Sequence, residues 1–458
     1  MKDFIGAIKK NGITPILIKE MIEVHQNEHN RMIAQYERYK ADAVPIQSRK
    51  TIEYEDFETG AIKRIDNKVN NMLNNSFDSD IVDTKVGYMF GIPITYDMDR
   101  GESKSNVQPP LLTEMETFNI RNAVEDKDSE WGKKAAICGY GARLAYIDTG
   151  GNERITNINP WEVFILSGTS DITEPTYAMR YFITSTEEGE VYKAEFYDET
   201  KTYYFQSDNK GGSYTLIDEQ ENLFDFVPLF GLPNNEELKG DVEKVYSLID
   251  AYDRTLSDAS NEIEQYRLAY LILRGVGMDE KDIENLNKSG VFELLGDNDE
   301  VKYLTKDIND QMIENHLDRL EENILRFSQS VNFGDGTFGT SVTGIALRYK
   351  LMALETKCMT MERKMSAALR YQFKVLCSSW SKRGKCSNED YLKVFFTFKR
   401  NIPVDLLSEA QANQALLGLV SERTRLSALT IVDDVQYELD EMKKEKDAYS
   451  ESLGGLGD

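Results

Sequence analysis

The chain has 458 residues and a net charge of −25, with 79 aspartates and glutamates against 54 lysines and arginines. This length is enough for two or more domains or for one elongated subunit, and a hydrophobic content of 40% can supply a sizeable core. So acidic a chain gains little from counterion release, which excludes tight, charge-driven binding of nucleic acid. Transient contact with DNA remains compatible with the composition.

The cysteine pattern and the hydropathy both argue against export. The four cysteines are scattered and form no Cys-x-x-Cys pair, and no secretory hydrophobic region follows Met1. We therefore expect a reducing compartment. No apolar run reaches the length of about 18 residues that marks a membrane helix, so we expect no membrane partner.

The first half of the chain predicts a mixed α+β region. Thr14 and Pro15 begin a helix, because a hydroxyl cap followed by proline at the first helical position is a typical start. Helical patterns cover residues 14–41, 79–90, 111–126 and 129–139. Runs rich in Tyr, Phe and Val then predict strands at 143–148, 153–158, 162–166, 176–183, 190–198, 201–207 and 213–217.

From Gly240 onward the apolar residues follow a heptad spacing, with alternating steps of three and four residues. The spacing predicts one helix of roughly 50 Å, which is too long for a single compact core to cover. Part of this helix should therefore pack on another long helix. The heptad positions are Val242, Val245, Ile249, Tyr252, Leu256, Ala259, Ile263, Tyr266, Tyr270 and Leu273.

Two more heptad patterns predict two more long helices, the last of which continues to Trp380. The second comprises Ile313, Leu317, Leu320, Ile324 and Phe327, and the third Leu347, Leu351, Leu354, Cys358, Met361, Met365 and Ala368. An insert at 275–306 separates the first two, with a short helix near 280–288 and strands at 291–295 and 301–305. A strand at 392–399 and a helical tail at 403–449, restarting at Ser421, complete the prediction.

A glycine-rich loop, residues 332–340 (NFGDGTFGT), separates the second and third heptad patterns. Gly334, Gly336 and Gly339 spell G-x-G-x-x-G, but a dinucleotide-binding loop follows a strand within a βαβ unit, and here a helix precedes it. We therefore expect no cofactor. The loop carries a single charge, Asp335, and we interpret it as a mobile connection between helices.

One pattern leaves an enzymatic alternative open. His25, Glu28 and His29 match H-x-x-E-H, the inverted zinc-peptidase pattern, which would make the protein a zinc-dependent hydrolase. A zinc site needs a third protein ligand, and the remaining histidine, His316, lies on another predicted helix. We expect no metal and assign no catalytic residue. The heptads alone would also suit a coiled-coil scaffold without a channel.

The order of these parts resembles the portal protein family of tailed bacteriophages, in the form found in long-tailed phages of Gram-positive bacteria. Residues 75–94 (NSFDSDIVDTKVGYMFGIPI) look like the family's NNF…IVD…GYLFGKPI segment. Residues 229–235 (LFGLPNN), followed by Asp241 and by SLIDAY at 247–252, resemble its approach to the stem helix. SERT at 421–424 and ELDE at 438–441 resemble its tail.

The resemblance implies an elongated, mainly helical α+β subunit, not an enzyme, in a cyclic ring of about twelve copies at one capsid vertex. The ring would be a channel for DNA packaging, retention and ejection. The implied parts are a wing at 1–239 with 343–402, stem helices at 240–274 and 307–327, a small α/β clip at 275–306, a tunnel loop at 328–342 and a helical crown at 403–458.

Three groups of candidate site residues follow from the resemblance. The DNA-facing tunnel loop comprises Val331, Asn332, Phe333, Gly334, Asp335, Gly336, Thr337, Phe338, Gly339, Thr340 and Ser341. The stem packing seam comprises Val242, Val245, Ile249, Tyr252, Leu256, Ile263 and Tyr266. The clip partner surface comprises Asp279, Glu280, Glu284, Glu293, Asp297 and Asp299.

The implied partners are further copies of the chain, the terminase, the head–tail connector, and the major capsid and scaffolding proteins. Double-stranded DNA would pass without sequence specificity, and the subunit would belong to the virion after assembly in the host bacterial cytoplasm. An acidic channel wall repels phosphates, so that DNA could move in both directions without becoming trapped.

Overall fold

The structure is a computed structural model, and it describes residues 3–50, 53–55, 62–64, 69–98, 109–187, 189–266, 270–274, 300–304, 310–334, 344–402, 406–429, 431–432 and 435–454. The chain divides into two units. The first comprises Met1–Tyr39, Asp78–Glu243 and Gln329–Asp458, and the second comprises Lys40–Phe77 and Lys244–Ser328.

Helices and antiparallel strands both contribute, as the α+β prediction requires. The helices are α1 (Phe4–Asn11), α2 (Pro15–Tyr39), α3 (Phe77–Phe90), α4 (Pro110–Asn122), α5 (Val124–Cys138), α6 (Tyr246–Tyr266), α7 (Asp310–Ser328), α8 (Gly344–Lys382), α9 (Leu406–Ala415), α10 (Glu422–Ser427) and α11 (Val435–Gly454). The strands are β1 (Glu53–Glu55), β2 (Ile62–Arg64), β3 (Thr95–Met98), β4 (Tyr140–Ile147), β5 (Glu153–Ile158), β6 (Val163–Leu166), β7 (Tyr177–Thr186), β8 (Gly189–Tyr197), β9 (Lys201–Ser207), β10 (Thr215–Glu221), β11 (Leu229–Pro233), β12 (Tyr270–Arg274), β13 (Glu300–Leu304) and β14 (Val394–Thr397).

The first unit contains the larger sheets. Five strands pair in the order β10-β9-β8-β7-β6, three pair as β11-β4-β5, and β14 pairs with β3. Every pairing is antiparallel, which suits strands joined by short turns, and Thr186 lies opposite Gly189 at the hairpin between β7 and β8. In the second unit, β1 pairs with β2 and β12 pairs with β13.

The long helix α8 forms the centre of the main core. Leu354, Cys358, Met361 and Met365 are fully buried at heptad spacing, as the third heptad pattern predicted. They belong to one apolar cluster with side chains of α3, α4, α5, β4 and β11, including Trp131. A smaller cluster packs α1 and α2 on the five-stranded sheet. None of the described helices carries an apolar stretch that would reach across a bilayer.

The first heptad pattern overestimates the length of its helix. α6 begins at Tyr246, after Val242 and Val245, and ends at Tyr266. Tyr270 and Leu273 lie instead on β12, where they pair with β13. Heptad spacing is a local pattern and contains no information about a strand partner that lies about 30 residues away. Residues 270–273 (YLIL) instead form backbone hydrogen bonds with β13.

Other differences concern short elements. α1, β1, β2, β3 and β11 are not predicted from the sequence, whereas the strand predicted at 301–305 is confirmed as β13. The helix predicted near 280–288 and the strand at 291–295 lie outside the described residues. All six clip partner residues lie there as well.

Candidate functional site

The predicted stem packing seam is buried at its start and exposed towards its end. Val245 and Ile249 are fully buried, and α6 contacts α7, whose Leu317, Leu320 and Ile324 are buried. Each buried aliphatic side chain contributes about 1.5–3 kcal/mol. Val242 is buried and Tyr252 and Leu256 are half-buried, but Ile263 is 65% exposed, and the side chain of Tyr266 lies outside the described part.

A row of polar side chains on α6 was not recognised in the sequence. Asp253, Ser257 and Asn261 are buried and four residues apart, so they lie on one helix face. They accept hydrogen bonds from the backbone N–H groups of Asn75 (3.1 Å), Leu73 (3.0 Å) and Asn71 (2.7 Å), respectively. We call these three side chains the α6 ladder.

The α6 ladder can bind this segment because the spacing of its side chains along the helix matches the spacing of alternate amides along the extended chain. Four helical residues rise about 6 Å, and two residues of extended chain rise about 6.6 Å. Alternate amides of the segment 69–76, which has no regular secondary structure, can therefore each reach one acceptor. The side-chain amide of Asn75 adds a bond of 2.7 Å to Asp253. Only the four-residue spacing of buried polar residues could have indicated this contact from the sequence.

The electrostatic field around the helices α6 and α7 is negative. Burial raises the pKa of Tyr252, and Glu321, Glu314 and Asp318 of α7 raise it further. Glu314 and Asp318 are exposed. An acidic surface of this kind repels phosphate groups.

The described part of the predicted tunnel loop starts with an ordered turn. α7 ends at Ser328, and Val331 packs on the core of the first unit. The side-chain oxygen of Asn332 accepts a hydrogen bond of 2.9 Å from the Gly334 N–H, while Phe333 is exposed. The remaining tunnel-loop residues, from Asp335 to Ser341, lie outside the described residues. The element that precedes the loop is a helix, α7, whereas a dinucleotide-binding loop follows a strand.

The residues of the zinc-peptidase-like pattern, His25, Glu28 and His29, form hydrogen bonds and an ion pair with other side chains and with the backbone. His25 Nδ1 lies 2.8 Å from the Tyr181 hydroxyl, and His29 Nδ1 lies 2.6 Å from the Trp161 carbonyl oxygen. Glu28 forms an ion pair of 2.6 Å with Arg31. Across the described ranges, no group of three or more His, Cys, Asp or Glu side chains has a metal-binding arrangement. His25 and His29 therefore fix α2 to the neighbouring strands and to Trp161, whereas Glu28 pairs with a residue of its own helix.

A buried charge cluster lies in the first unit. Lys85 of α3 donates to the Asn234 side-chain oxygen at 2.7 Å and forms an ion pair of 3.0 Å with Asp241. Lys357 of α8 approaches the same carboxylate at 3.4 Å. Burial alone would raise the pKa of Asp241, but Lys357 and Lys85 outweigh burial and hold that pKa below its usual value. Burial also lowers the pKa of Lys357.

Two of the segments that carry the family resemblance meet at this cluster. Lys85 lies in the segment 75–94, and Asn234 and Asp241 lie in the segment that leads to α6. Asn234 also donates to Asp241 at 2.9 Å. Residues from the two segments that resemble the family are therefore in contact, although about 150 residues separate them in the chain.

A second ionic cluster anchors the start of α8. Arg400 contacts Glu355 at 2.9 Å and Glu362 at 2.7 Å, and the Tyr88 hydroxyl donates to Glu355 at 2.7 Å. Burial opposes ionisation of Glu355, but the hydrogen bonds from Arg400 and Tyr88 lower its pKa. The helix that follows the glycine loop is thereby fixed to α3 and to the chain after β14.

The two segments that carry the resemblance to phage portal proteins thus contact each other in the fold. The chain matches the family described as "Phage portal protein, SPP1 Gp6-like" over residues 18–452, and it belongs to this family. It is 24% identical to the portal protein of Bacillus phage SPP1 over 413 residues, which cover 86% of this chain and 80% of that relative. It is 23% identical to the portal protein of Clostridium phage phiCD119 over 389 residues, covering 80% and 83%.

Family membership confirms the predicted function. Portal proteins of this family are structural virion components that form ring-shaped channels for genome packaging and interact in general with the capsid and the terminase. It favours the channel-forming portal over both alternatives, because the family is structural and is not known as enzymatic.

Proposed function

We propose that α6 and α7 form the stem around the channel, in rings of about twelve copies. The observation that supports this proposal is the direct contact of α6 with α7, two long helices that each bury heptad residues. Residues 275–306 would form the clip, with the wing at 1–239 and 343–402 and the crown at 403–458. The subunit acts as a conduit and not as an enzyme, and the terminase supplies the chemical energy.

The acidic residues of α7 suit a surface that DNA passes without binding. Glu314, Asp318 and Glu322 are exposed on this helix. If they face the channel, the ring presents the same acidic surface once for each subunit, and counterion release gives no phosphate contact a lasting advantage. DNA then moves in either direction without sequence specificity.

The tunnel loop at 328–342 projects into the channel and contacts the moving DNA. Its position between α7 and α8 supports this role, because both of its ends belong to long helices. Asn332 and Gly334 fix the first turn, and Phe333 is exposed. Glycines allow the rest of the loop to adopt conformations that other residues avoid.

The clip residues Asp279, Glu280, Glu284, Glu293, Asp297 and Asp299 contact the head–tail connector. The capsid and scaffolding proteins surround the wing, and assembly takes place in the host bacterial cytoplasm.

Electron microscopy of the purified full-length chain tests the ring. We expect closed rings with a central hole, with or without scaffolding protein. Replacing buried Ile249 by glutamate should abolish rings, whereas the same change at exposed Ile263 should preserve them. A chain that stays monomeric under all conditions would contradict the proposal.

A further inference from the structure

The outward face of α8 has an unusual composition for this chain. Tyr349 is 74% exposed, Met352 62% and Met359 41%. At 100° per residue these side chains share one face with three polar residues that are also exposed. This face, the α8 stripe, comprises Tyr349, Met352, Thr356, Met359, Arg363 and Arg370. It is about 32 Å long, and the buried heptad residues lie on the opposite side.

The stripe carries positive charge and apolar surface but no acidic residue, although the chain holds 79 acidic residues. The acidic residues beside it on α8, Glu355 and Glu362, are held by Arg400. Tyr, Met and Arg are enriched in protein–protein interfaces, whereas Lys, Glu and Asp are depleted. An exposed face on which Tyr349, Met352 and Met359 adjoin two arginines has the composition of a protein interface.

A complementary face lies on α2 of the same unit. Ile16 is 71% exposed, Val24 is exposed, and Glu20 and Glu23 lie between them on one side of the helix. This face is apolar and acidic where the α8 stripe is apolar and basic. A closed ring needs such a pair, because each subunit in a cyclic assembly presents two different surfaces to its two neighbours.

We propose that the α8 stripe of one subunit packs against the acidic face of α2 of a second copy. The inference rests on the proposed ring and assigns it a specific contact. Met352 and Met359, about 10 Å apart along α8, then cover Ile16 and Val24, about 12 Å apart along α2. With the two helices parallel, Arg363 lies about one turn beyond Met359, within reach of Glu23. Charge complementarity fixes the register, and the apolar side chains contribute most of the stability.

Photo-crosslinking in assembled rings tests the contact. A benzophenone amino acid replaces Met352 in the full-length chain, and the variant is mixed with ¹⁵N-labelled wild-type chain before assembly. We expect mixed-isotope crosslinks between residue 352 and peptides of α2. The same residue at Ile120, which is 83% exposed on α4, is the control and should not reach α2. Crosslinks confined to one chain, to other segments or to DNA would overturn the proposal.

Charge reversal provides a second test. Arg363→Glu should lower ring yield at least tenfold at low salt, and adding Glu23→Arg should restore it. Failure of the compensating pair to restore rings, in a protein with wild-type circular dichroism, would also overturn the contact. If the wild-type chain itself forms no rings, the proposed function fails instead, so the two failures are distinguishable.

Discussion

Single residues join parts of this chain that lie far apart in sequence. Asp241 holds two buried lysines, Lys85 and Lys357, which come from α3 and α8. One carboxylate thus compensates two ammonium groups, with the help of Asn234. Because a buried charge without a partner is costly, the three charged residues are not equivalent.

Asp241→Asn should therefore be the most damaging change in the cluster. It leaves two buried cations without a counter-charge and should lower the free energy of unfolding by about 3–5 kcal/mol. Lys85→Met leaves the Asp241–Lys357 pair intact and should cost less. Urea unfolding followed by tryptophan fluorescence measures both, since all three tryptophans lie in the same unit as the cluster. Equal losses for the two variants would contradict this interpretation.

His25 should make stability depend on pH. Burial lowers its pKa from 6.5 to about 4, with smaller contributions from the neighbouring His29 and Arg31. Because the unfolded chain binds the proton more tightly, the neutral histidine contributes fully above pH 6.5, and this contribution is lost as the pH falls to about 4. The loss is about 3 kcal/mol.

Unfolding free energies measured between pH 7 and pH 4 check this prediction. His25→Gln removes the titrating group, so its stability should fall less steeply than that of the wild type. His316→Gln, at an exposed position of α7, is the matched control and should follow the wild-type curve. Parallel curves for wild type and His25→Gln would show that another group controls the acid limb.

The residue scale is where prediction from the sequence was weakest. Lys85 and Asp241 lie inside segments that resemble the family, yet nothing in their letters places one beside the other. His25 and His29 matched a metal pattern although both pack against Tyr181. A short motif describes the spacing of residues along one helix or strand. The contacts of these residues depend instead on side chains from elements that are distant in the sequence.

At the scale of the elements, the helix α6 makes contacts through two different faces. Its heptad face packs on α7, and its polar ladder binds a segment that lacks secondary structure. The ladder replaces the hydrogen bonds that a sheet would otherwise supply to the amides of 71, 73 and 75. Without it, these N–H groups would lose the acceptors that the structure gives them.

Ser257→Ala tests the ladder at its centre. Removing the hydroxyl leaves the Leu73 amide without its acceptor, at a cost of about 1–1.5 kcal/mol. Hydrogen exchange in peptides that cover residues 69–76 should therefore become roughly tenfold faster. Ser260→Ala, on the same helix but outside the ladder, is the control. Unchanged exchange in the Ser257 variant would show that the segment is held by other contacts.

Periodicity predicted the long elements well and their ends poorly. α8 buries its heptad residues from Leu351 to Ala368, and α7 buries the middle of its heptad pattern at Leu317, Leu320 and Ile324, although Phe327 is 54% exposed. α6 stops before Tyr270 although the heptad continues, since β13 offers that run a strand partner. β11 escaped notice because Leu229–Pro233 is short and buried on both faces, so it shows no alternation.

For the whole molecule, charge and glycine placement fit a protein that must let DNA pass. The net charge of −25 disfavours lasting phosphate contacts, and the sequence places Gly334, Gly336 and Gly339 between two long helices. The order of elements was recognisable from the sequence because long helices and their connections survive at low identity. The surfaces that contact partners were not recognisable from the sequence. A heptad pattern predicts that a helix packs on another helix, but it does not identify that helix.

Deleting residues 332–340 separates the loop's role from the ring's. The deletion begins after Val331, which packs on the core, and it leaves α7 and α8 intact, so rings should form normally in the electron microscope. Filled heads should become rarer, because the segment that we propose to contact DNA is missing. Gly334→Ala is a milder version: its Cβ would lie 3.2 Å from the Asn332 side-chain oxygen and disturb the first turn. If the deletion variant forms rings and packages and retains DNA at wild-type levels, the loop is a spacer and DNA is controlled by the acidic stem alone.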